Sequence, residues 1–157
     1  MRPGILRRAG LIAVSAAALG LFATASLAKT EFEARGGYYA DAEKPFAGVG
    51  ALTPIGSQRW FFNPNFEFAS DSSGDLLSAN LDVHYDIDVT APIYWWVGGG
   101  PAMVRNEPDI GRTDTDLGLD LITGIAPRNP GKVRPFVQGK VIVKDNSEAV
   151  LAVGLRF

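Results

Sequence analysis

His84 is the only histidine of the chain, and it lies among carboxylates and a serine that recur at alternate residues. Asp82 and Asp86 flank it, and Ser78 lies further along the same alternating set. Serine, histidine and aspartate are the side chains of a nucleophilic hydrolase, in which the histidine takes the proton of the serine hydroxyl. A single histidine in a polar row is more simply held by hydrogen bonds to its neighbours. The stretch therefore favours a structural histidine and leaves an enzyme as an alternative.

Two other stretches contain groups that could bind a ligand. The segment RNEPDIGRTDTD concentrates four acids that could bind calcium through several oxygens: Glu107, Asp109, Asp114 and Asp116. Their irregular spacing favours a solvated loop. The stretch VGGG at 97–100 precedes a proline and no helix, which argues against a phosphate-binding loop. We expect no metal site and no cofactor, and the absence of cysteine excludes disulfides.

The elements that position these residues are strands, because apolar and polar residues alternate with a period of two along most of the chain. Breaks rich in Gly, Pro, Asn, Asp and Ser separate the alternating runs. We predict eight strands, over residues 30–40, 46–55, 59–69, 76–87, 92–104, 115–126, 133–144 and 147–157. Soluble strands usually have about five or six residues, whereas strands that cross a bilayer need about nine to eleven. The predicted strands match the second class.

An even number of strands in a short up-and-down chain predicts a closed antiparallel barrel, which has no exposed edges. The alternation alone leaves two ways to close it. A soluble barrel that binds a hydrophobic ligand places the apolar face inside. That face includes Leu77, Leu81, Leu119, Val137 and Val141. A membrane barrel places the same face outside, against lipid, and the polar face inside.

The polar face favours the membrane barrel, because its acids and bases come from different strands and could pair across a narrow lumen. We expect the following residues to form this interior polar network: Glu33, Arg35, Asn63, Asn65, Glu67, Asn80, Asp82, His84, Asp86, Asp116, Asp120, Arg134, Gln138, Lys140, Lys144, Glu148 and Arg156. An eight-stranded barrel is just wide enough for side chains to fill. We therefore expect a plugged lumen and no general diffusion pore.

Aromatic residues cluster near the ends of the predicted strands. In a membrane barrel such residues form girdles at the two interfaces. We expect the girdle residues to be among Tyr38, Tyr39, Phe46, Trp60, Phe61, Phe62, Tyr94, Trp95 and Trp96. The pattern does not decide which of Trp95 and Trp96 faces lipid.

The last ten residues, EAVLAVGLRF, alternate up to a terminal aromatic residue. Leu151, Val153, Leu155 and Phe157 share one face. This pattern resembles the C-terminal signal of bacterial outer-membrane β-barrels, which their assembly machinery reads. The stretch PIYWWVGGGPAMV is similar to the aromatic-then-glycine strand common in small eight-stranded OmpA-like barrels.

The resemblance extends in pattern over the chain from residue 29 to the end, and it implies an all-β, eight-stranded, up-and-down transmembrane barrel. It implies outer-membrane lipid, lipopolysaccharide and the barrel assembly machinery as partners. It also raises the lipid-modifying alternative, because outer-membrane lipid A deacylases use a histidine and a serine two residues apart. Here the residue two after His84 is Asp86, so that motif is absent.

The first 28 residues have the anatomy of a cleavable signal peptide. Arg2, Arg7 and Arg8 precede an apolar run, and the small residues Ser26 and Ala28 stand where a signal peptidase reads. Removing three arginines changes the formal net charge from −2 to −5, spread along a domain at 29–157. A nucleic-acid partner would need clustered basic residues, so we expect none.

We therefore predict a monomeric outer-membrane barrel with a structural role in the envelope. Both chain ends would lie on the periplasmic side, and short loops near 41–45, 70–75, 105–114 and 144–147 would face outward. A soluble periplasmic barrel that binds a hydrophobic ligand is the first alternative. A membrane-embedded lipid-modifying enzyme that uses His84 is the second.

Overall fold

The computed structural model describes residues 30–56, 59–87, 92–128 and 131–157, which form eight antiparallel strands in one sheet. The strands are β1 (Glu31–Tyr39), β2 (Lys44–Pro54), β3 (Trp60–Asp71), β4 (Gly74–Ile87), β5 (Ile93–Pro108), β6 (Asp114–Pro127), β7 (Arg134–Val143) and β8 (Glu148–Arg156). The predicted eight-stranded fold is confirmed. The largest difference is at the end of β5, which continues to Pro108 because residues 105–108 still pair with β4.

The predicted signal peptide, residues 1–28, lies outside the described residues. Within the ranges that the structure describes, no helix is long and apolar enough to span a membrane.

The sheet closes on itself because β8 pairs with β1, residues 150–156 against residues 33–39. Two further backbone hydrogen bonds join Phe32 and Phe157, each amide nitrogen donating to the other's carbonyl oxygen, at 2.9 and 3.0 Å. Every other pair of neighbouring strands is consecutive in sequence. Closure therefore gives every strand a hydrogen-bonded neighbour on both sides.

The two faces of the wall differ sharply in polarity. On β3, Phe66 is 56% exposed on the outside, whereas its neighbours Asn65 and Glu67 are each 1% exposed and point inward. The same alternation continues around the barrel, so that aliphatic and aromatic side chains cover the outside and about half of the buried side chains are polar or charged. This polarity is the reverse of that in a soluble protein.

Strand β3 carries a proline within it, and a side chain replaces the hydrogen bond that is lost there. Pro64 of β3 has no N–H to donate, and the register of β2 and β3 places it opposite Ala51. Asn63 Nδ2 instead donates to the carbonyl oxygen of Ala51 at 2.9 Å. The inward polar residue therefore satisfies a backbone group of the wall.

Candidate functional site

The interior of the barrel holds most of the residues that the sequence singles out, and its centre is a layer of paired charges. The carboxylate of Glu67 accepts hydrogen bonds from Lys140 Nζ at 2.7 Å, Tyr39 Oη at 2.5 Å and Arg35 Nη1 at 3.4 Å. Arg35 also donates to Glu33 and, at 3.1 Å, to Asn63 Oδ1. Three strands, β1, β3 and β7, supply this layer.

A second set of interior contacts lies beside this layer, on β3 and β4. Asn65 Nδ2 donates to Asp82 Oδ2 at 3.0 Å, and the amides of Asn65 and Asn80 are in contact at 2.9 Å. Ser78 Oγ and the side-chain amide of Asn80 are hydrogen-bonded at 2.9 Å. All four side chains are buried. The serine hydroxyl is therefore engaged with an amide on its own strand.

Aromatic rings and one arginine fill the interior nearer the chain ends. The guanidinium of Arg156 lies over Trp96 and Phe136, 4.5 and 4.7 Å from the ring centroids. Its Nε donates to Glu33 Oε1 at 2.7 Å. The ring of His84 stacks on Trp96 with centroids 5.5 Å apart. These contacts join the aromatic cluster to the charged layer through Glu33.

The opposite end of the interior is closed by an apolar cluster. Its buried members are Tyr39, Phe46, Ala69, Leu76, Ala102, Val104, Ile142, Val150 and Ala152. Tyr39 and Ile142 are fully buried, and the rings of Tyr39 and Phe46 lie 5.1 Å apart. The interior thus has three levels: an apolar cluster, a charged layer and an aromatic cluster with Arg156.

Ion pairs and loop contacts surround these levels at both ends. Lys144 Nζ donates to Asp116 Oδ2 at 2.8 Å, and Arg134 pairs with Glu31. Glu148 Oε1 accepts a hydrogen bond at 2.8 Å from a backbone amide of the β1–β2 turn. The structure places all seventeen residues of the expected polar network on the inward face, including the half-buried Asp86, Asp116 and Arg134.

The geometry around His84 is not that of a nucleophilic hydrolase. Its side chain is fully buried, between the rings of Trp96 and Phe61. Asp86 Oδ1 lies 3.6 Å from His84 Nε2, which is too long for a hydrogen bond. Among the described residues, neither ring nitrogen of His84 has a hydrogen-bond partner. Ser78 is not positioned to give its proton to this ring, because six residues of one extended strand, roughly 20 Å, separate the two positions.

The aromatic expectations need correction. Tyr38, Trp60 and Trp95 face outward, 46%, 45% and 43% exposed, and Phe62 lies on the same outward face. Tyr39 and Trp96 are fully buried inside, so they are not girdle residues. Phe46, Phe61 and Tyr94 also lie on the inward face.

The physical reason for these corrections is the alternation itself. Tyr39 has the same parity as Glu33 and Arg35, so the signal that places the charges inside also places this ring inside. Trp96 fits inside because glycine stands opposite it on β6. A Cβ atom at Gly124 would lie 2.3 Å from the ring of Trp96.

The four acids from Glu107 to Asp116, which run from the end of β5 into the start of β6, are divided between ion pairs and solvent. Glu107 pairs with Arg105 on the outward face, and Asp116 pairs with Lys144 on the inward face. Asp109 and Asp114 are exposed. In the parts of the chain that the structure describes, no group of three or more such side chains could hold a metal ion.

A soluble carrier would need the apolar face inside, and the structure places it outside. The five residues expected to line such a carrier face outward and are 40 to 52% exposed: Leu77, Leu81, Leu119, Val137 and Val141. The first alternative is therefore wrong for this fold.

A closed barrel of eight antiparallel strands with an apolar outside and a charged inside is the fold of the small outer-membrane barrels. Among solved structures, the chain is similar to Neisserial surface protein A, with a TM-score of 0.62 and 17% identity over 81% of this chain and 92% of that one. It is also similar to the N-terminal barrel domain of OprF from Pseudomonas aeruginosa, with a TM-score of 0.64 and 18% identity over 82% and 96%. A designed transmembrane barrel matches with a TM-score of 0.58 and 12% identity over 82% and 92%.

At these identities the likeness is one of fold. No family model matches the chain, and no curated protein matches it.

Proposed function

We propose that the chain is an integral outer-membrane barrel with a plugged interior and a structural role in the envelope. The observation that supports it is the contrast between a fully buried charged layer inside and a continuous apolar wall outside. Lipid can cover such a wall, because closure pairs each strand with two neighbours and so satisfies most backbone groups within the wall.

Outward charges mark one end of the apolar wall that lipid would cover. Within the described strands, the outward charged side chains are Asp75, Arg105 and Glu107, and the pairing of β4 with β5 brings them together at one end. Below them, the outward face of the described strands carries no charge. A charge in that region would cost about 2–4 kcal/mol near the bilayer midplane and much less near an interface.

The closed interior supports a structural role over transport. Side chains of the apolar cluster and the charged layer are almost entirely buried, with Tyr39, Ile142 and Gln138 at 0% exposure. Ions would have to displace both levels to cross. The protein would therefore contribute a rigid wall in contact with lipid and lipopolysaccharide, and His84 would act as packing and not as a catalyst.

The end of the chain supports a proposal about assembly. Leu151, Val153, Leu155 and Phe157 all face outward, and Phe157 is 58% exposed while its backbone is bonded to β1. The four side chains form an apolar ridge along β8. We assign this ridge as the surface that the barrel assembly machinery would read, with both chain ends on the periplasmic side.

Fractionation of Gram-negative cells that express the full chain tests the proposal. The expected result is a band in the outer-membrane fraction whose gel mobility changes on boiling, as for a folded barrel. Leu119→Arg should reduce this band strongly, since Leu119 is 52% exposed within the apolar wall. Thr115→Arg is the matched control, because Thr115 faces outward on the same strand beyond that wall. A soluble wild-type protein, or equal effects of the two arginines, would contradict the proposal.

Planar-bilayer recording then tests the plug. The purified barrel should show no steady conductance, and steady single-channel currents from the wild type would contradict the closed interior.

A further inference from the structure

The wall of the barrel has an opening between β6 and β7 at the end that carries both chain termini. The ladder between these strands ends at Ile125 and Val137. Continuing the register places Pro127 opposite Pro135, and neither proline has an N–H to donate. The strands therefore separate there. An apolar groove of about 250 Å³ results, lined by Ile93, Ile125, Ala126, Pro127, Pro135, Phe136 and Val137.

Basic residues follow the groove directly along the chain. Arg128 comes after Pro127, and Lys132 and Arg134 come before Pro135. The guanidinium of Arg128 lies 4.4 Å from the centroid of Tyr94, and that of Arg134 lies 5.9 Å from it. The ring of Tyr94 therefore holds both guanidinium groups beside the groove. We call this basic region, with Arg128, Lys132 and Arg134, the rim.

A polar cavity of about 400 Å³ lies on the lumen side of this rim. Its lining is Glu31, Tyr94, Gly131, Lys132, Arg134, Arg156 and Phe157. Arg156 is 5% exposed, and among the described residues its Nη2 has no hydrogen-bond partner. The cavity is thus a built polar site, with a buried donor group in its wall.

Among the described residues, the charged side chains around this rim are four bases, Arg128, Lys132, Arg134 and Arg156, and three acids, Glu31, Glu33 and Asp86. Glu31 pairs with Arg134, and Glu33 holds Arg156 from within. Asp86 lies on the inward face nearby and is the other acid among the described residues that faces these bases. Arg128 and Lys132 are both exposed at this rim.

We infer that this groove and its basic rim form a binding site for an anionic phospholipid of the leaflet at this end of the barrel. One acyl chain would lie in the groove between β6 and β7, and the phosphate would bind Arg128 and Lys132. This inference rests on the proposed function, since it needs the apolar wall to be in a membrane.

Two features select a lipid as the occupant. The groove is continuous with the outward apolar wall, so the medium around the barrel can fill it without leaving the membrane. The basic rim stands at the height where phosphates lie if the apolar wall marks the hydrocarbon region. A basic cluster next to an apolar cleft at a membrane surface is suited to acidic lipid headgroups.

Native mass spectrometry of the purified barrel, released from micelles that contain equal amounts of phosphatidylglycerol and phosphatidylcholine, tests the site. The two lipids carry the same acyl chains, so a preference for the first reports on the headgroup. We expect retention of phosphatidylglycerol, and a loss of about fivefold in affinity for each of Arg128→Gln and Lys132→Gln. Arg105→Gln is the matched control, because it removes one basic residue at the opposite end.

Val137→Trp tests the groove separately, because the ring would fill the space of the acyl chain while keeping an apolar outward face. It should reduce retention of both lipids. Equal retention of the two lipids by the wild type, or equal effects of Arg105→Gln and Lys132→Gln, would overturn the lipid site. A gel shift on boiling is measured on every variant first. Failure of the wild type to shift would overturn the proposed membrane barrel itself.

Discussion

Glu67 is the residue whose replacement most directly tests the charged layer. It accepts hydrogen bonds from Lys140 at 2.7 Å, Tyr39 at 2.5 Å and Arg35 at 3.4 Å, and it is 1% exposed. Glu67→Met keeps the volume similar but leaves Lys140 without the carboxylate that it contacts. Removing one partner of a buried ion pair costs about 3–5 kcal/mol, and we expect a loss of that size in the free energy of unfolding.

The double variant Glu67→Met/Lys140→Met separates the lost attraction from the uncompensated charge. Replacing both partners of a buried pair with apolar residues is often neutral or stabilising. The hydroxyl of Tyr39 still loses its acceptor, which costs about 1–3 kcal/mol. Arg35 still has Glu33 and Asn63 as partners. We therefore expect the double variant to be more stable than Glu67→Met alone.

Urea unfolding of the refolded barrel in lipid vesicles, followed by gel mobility, measures these free energies. Gln138→Met is the matched control, because Gln138 is fully buried on the same face and, among the described residues, its side-chain amide has no hydrogen-bond partner. We expect little loss for this control. A loss below about 1 kcal/mol for Glu67→Met, or a double variant no more stable than the single one, would refute the assignment of the network.

Three further outcomes follow from the structure. His84→Ala should lower the free energy of unfolding by about 1–3 kcal/mol, because the packing of the ring is lost. The variant should leave the lipid composition of the membrane unchanged. Loss of a lipid modification in this variant would instead support the lipid-modifying enzyme. At the outer turn, beyond the apolar wall, the hydrogen bond from Lys44 lowers the pKa of Asp71 from 3.8 to about 2. The stability that this ionised carboxylate contributes is therefore present above pH 3.8 and is lost as the pH falls through about 2. Lys44→Met should move the titration midpoint of this carboxyl, measured by NMR, back toward 3.8, and an unmoved midpoint would show that the lysine is not the cause. Phe157→Ala keeps the backbone hydrogen bonds to Phe32. It should therefore reduce the amount of folded barrel in cells far more than it reduces the yield of refolding in detergent. Equal losses in the two measurements would mean that Phe157 acts in stability alone.

Much of the fold could be predicted from alternation, because a period of two is a local property that needs no knowledge of neighbours. The strands, their number and the inward position of Glu33, Glu67 and Lys140 all follow from it. Applied strictly, the same parity would also have placed Tyr39 inside. The clustering of aromatic residues at strand ends obscured that signal.

The inward position of Trp96 depends on a neighbour in space. Aromatic residues stand on both parities at 94–96, so β5 alone is ambiguous. The ring fits because the register pairs Trp96 with Gly124, and the inward Gly98 leaves room beside His84. Register is set by all the strands together and cannot be read from one. The groove at Pro127 and Pro135 is hidden from sequence reasoning for the same reason.

The charged layer also bears on how the barrel closes. Glu33 and Glu67 lie on β1 and β3, and two of the bases that hold them, Arg156 and Lys140, lie on β8 and β7. These contacts are 123 and 73 residues apart in sequence, so they form only when the last strands reach the first. Until then Arg35 compensates the two acids only in part, with one positive charge against two negative ones. Neutralisation and closure are therefore coupled, because the same strand that seals the wall through Phe157 also delivers Arg156 to Glu33.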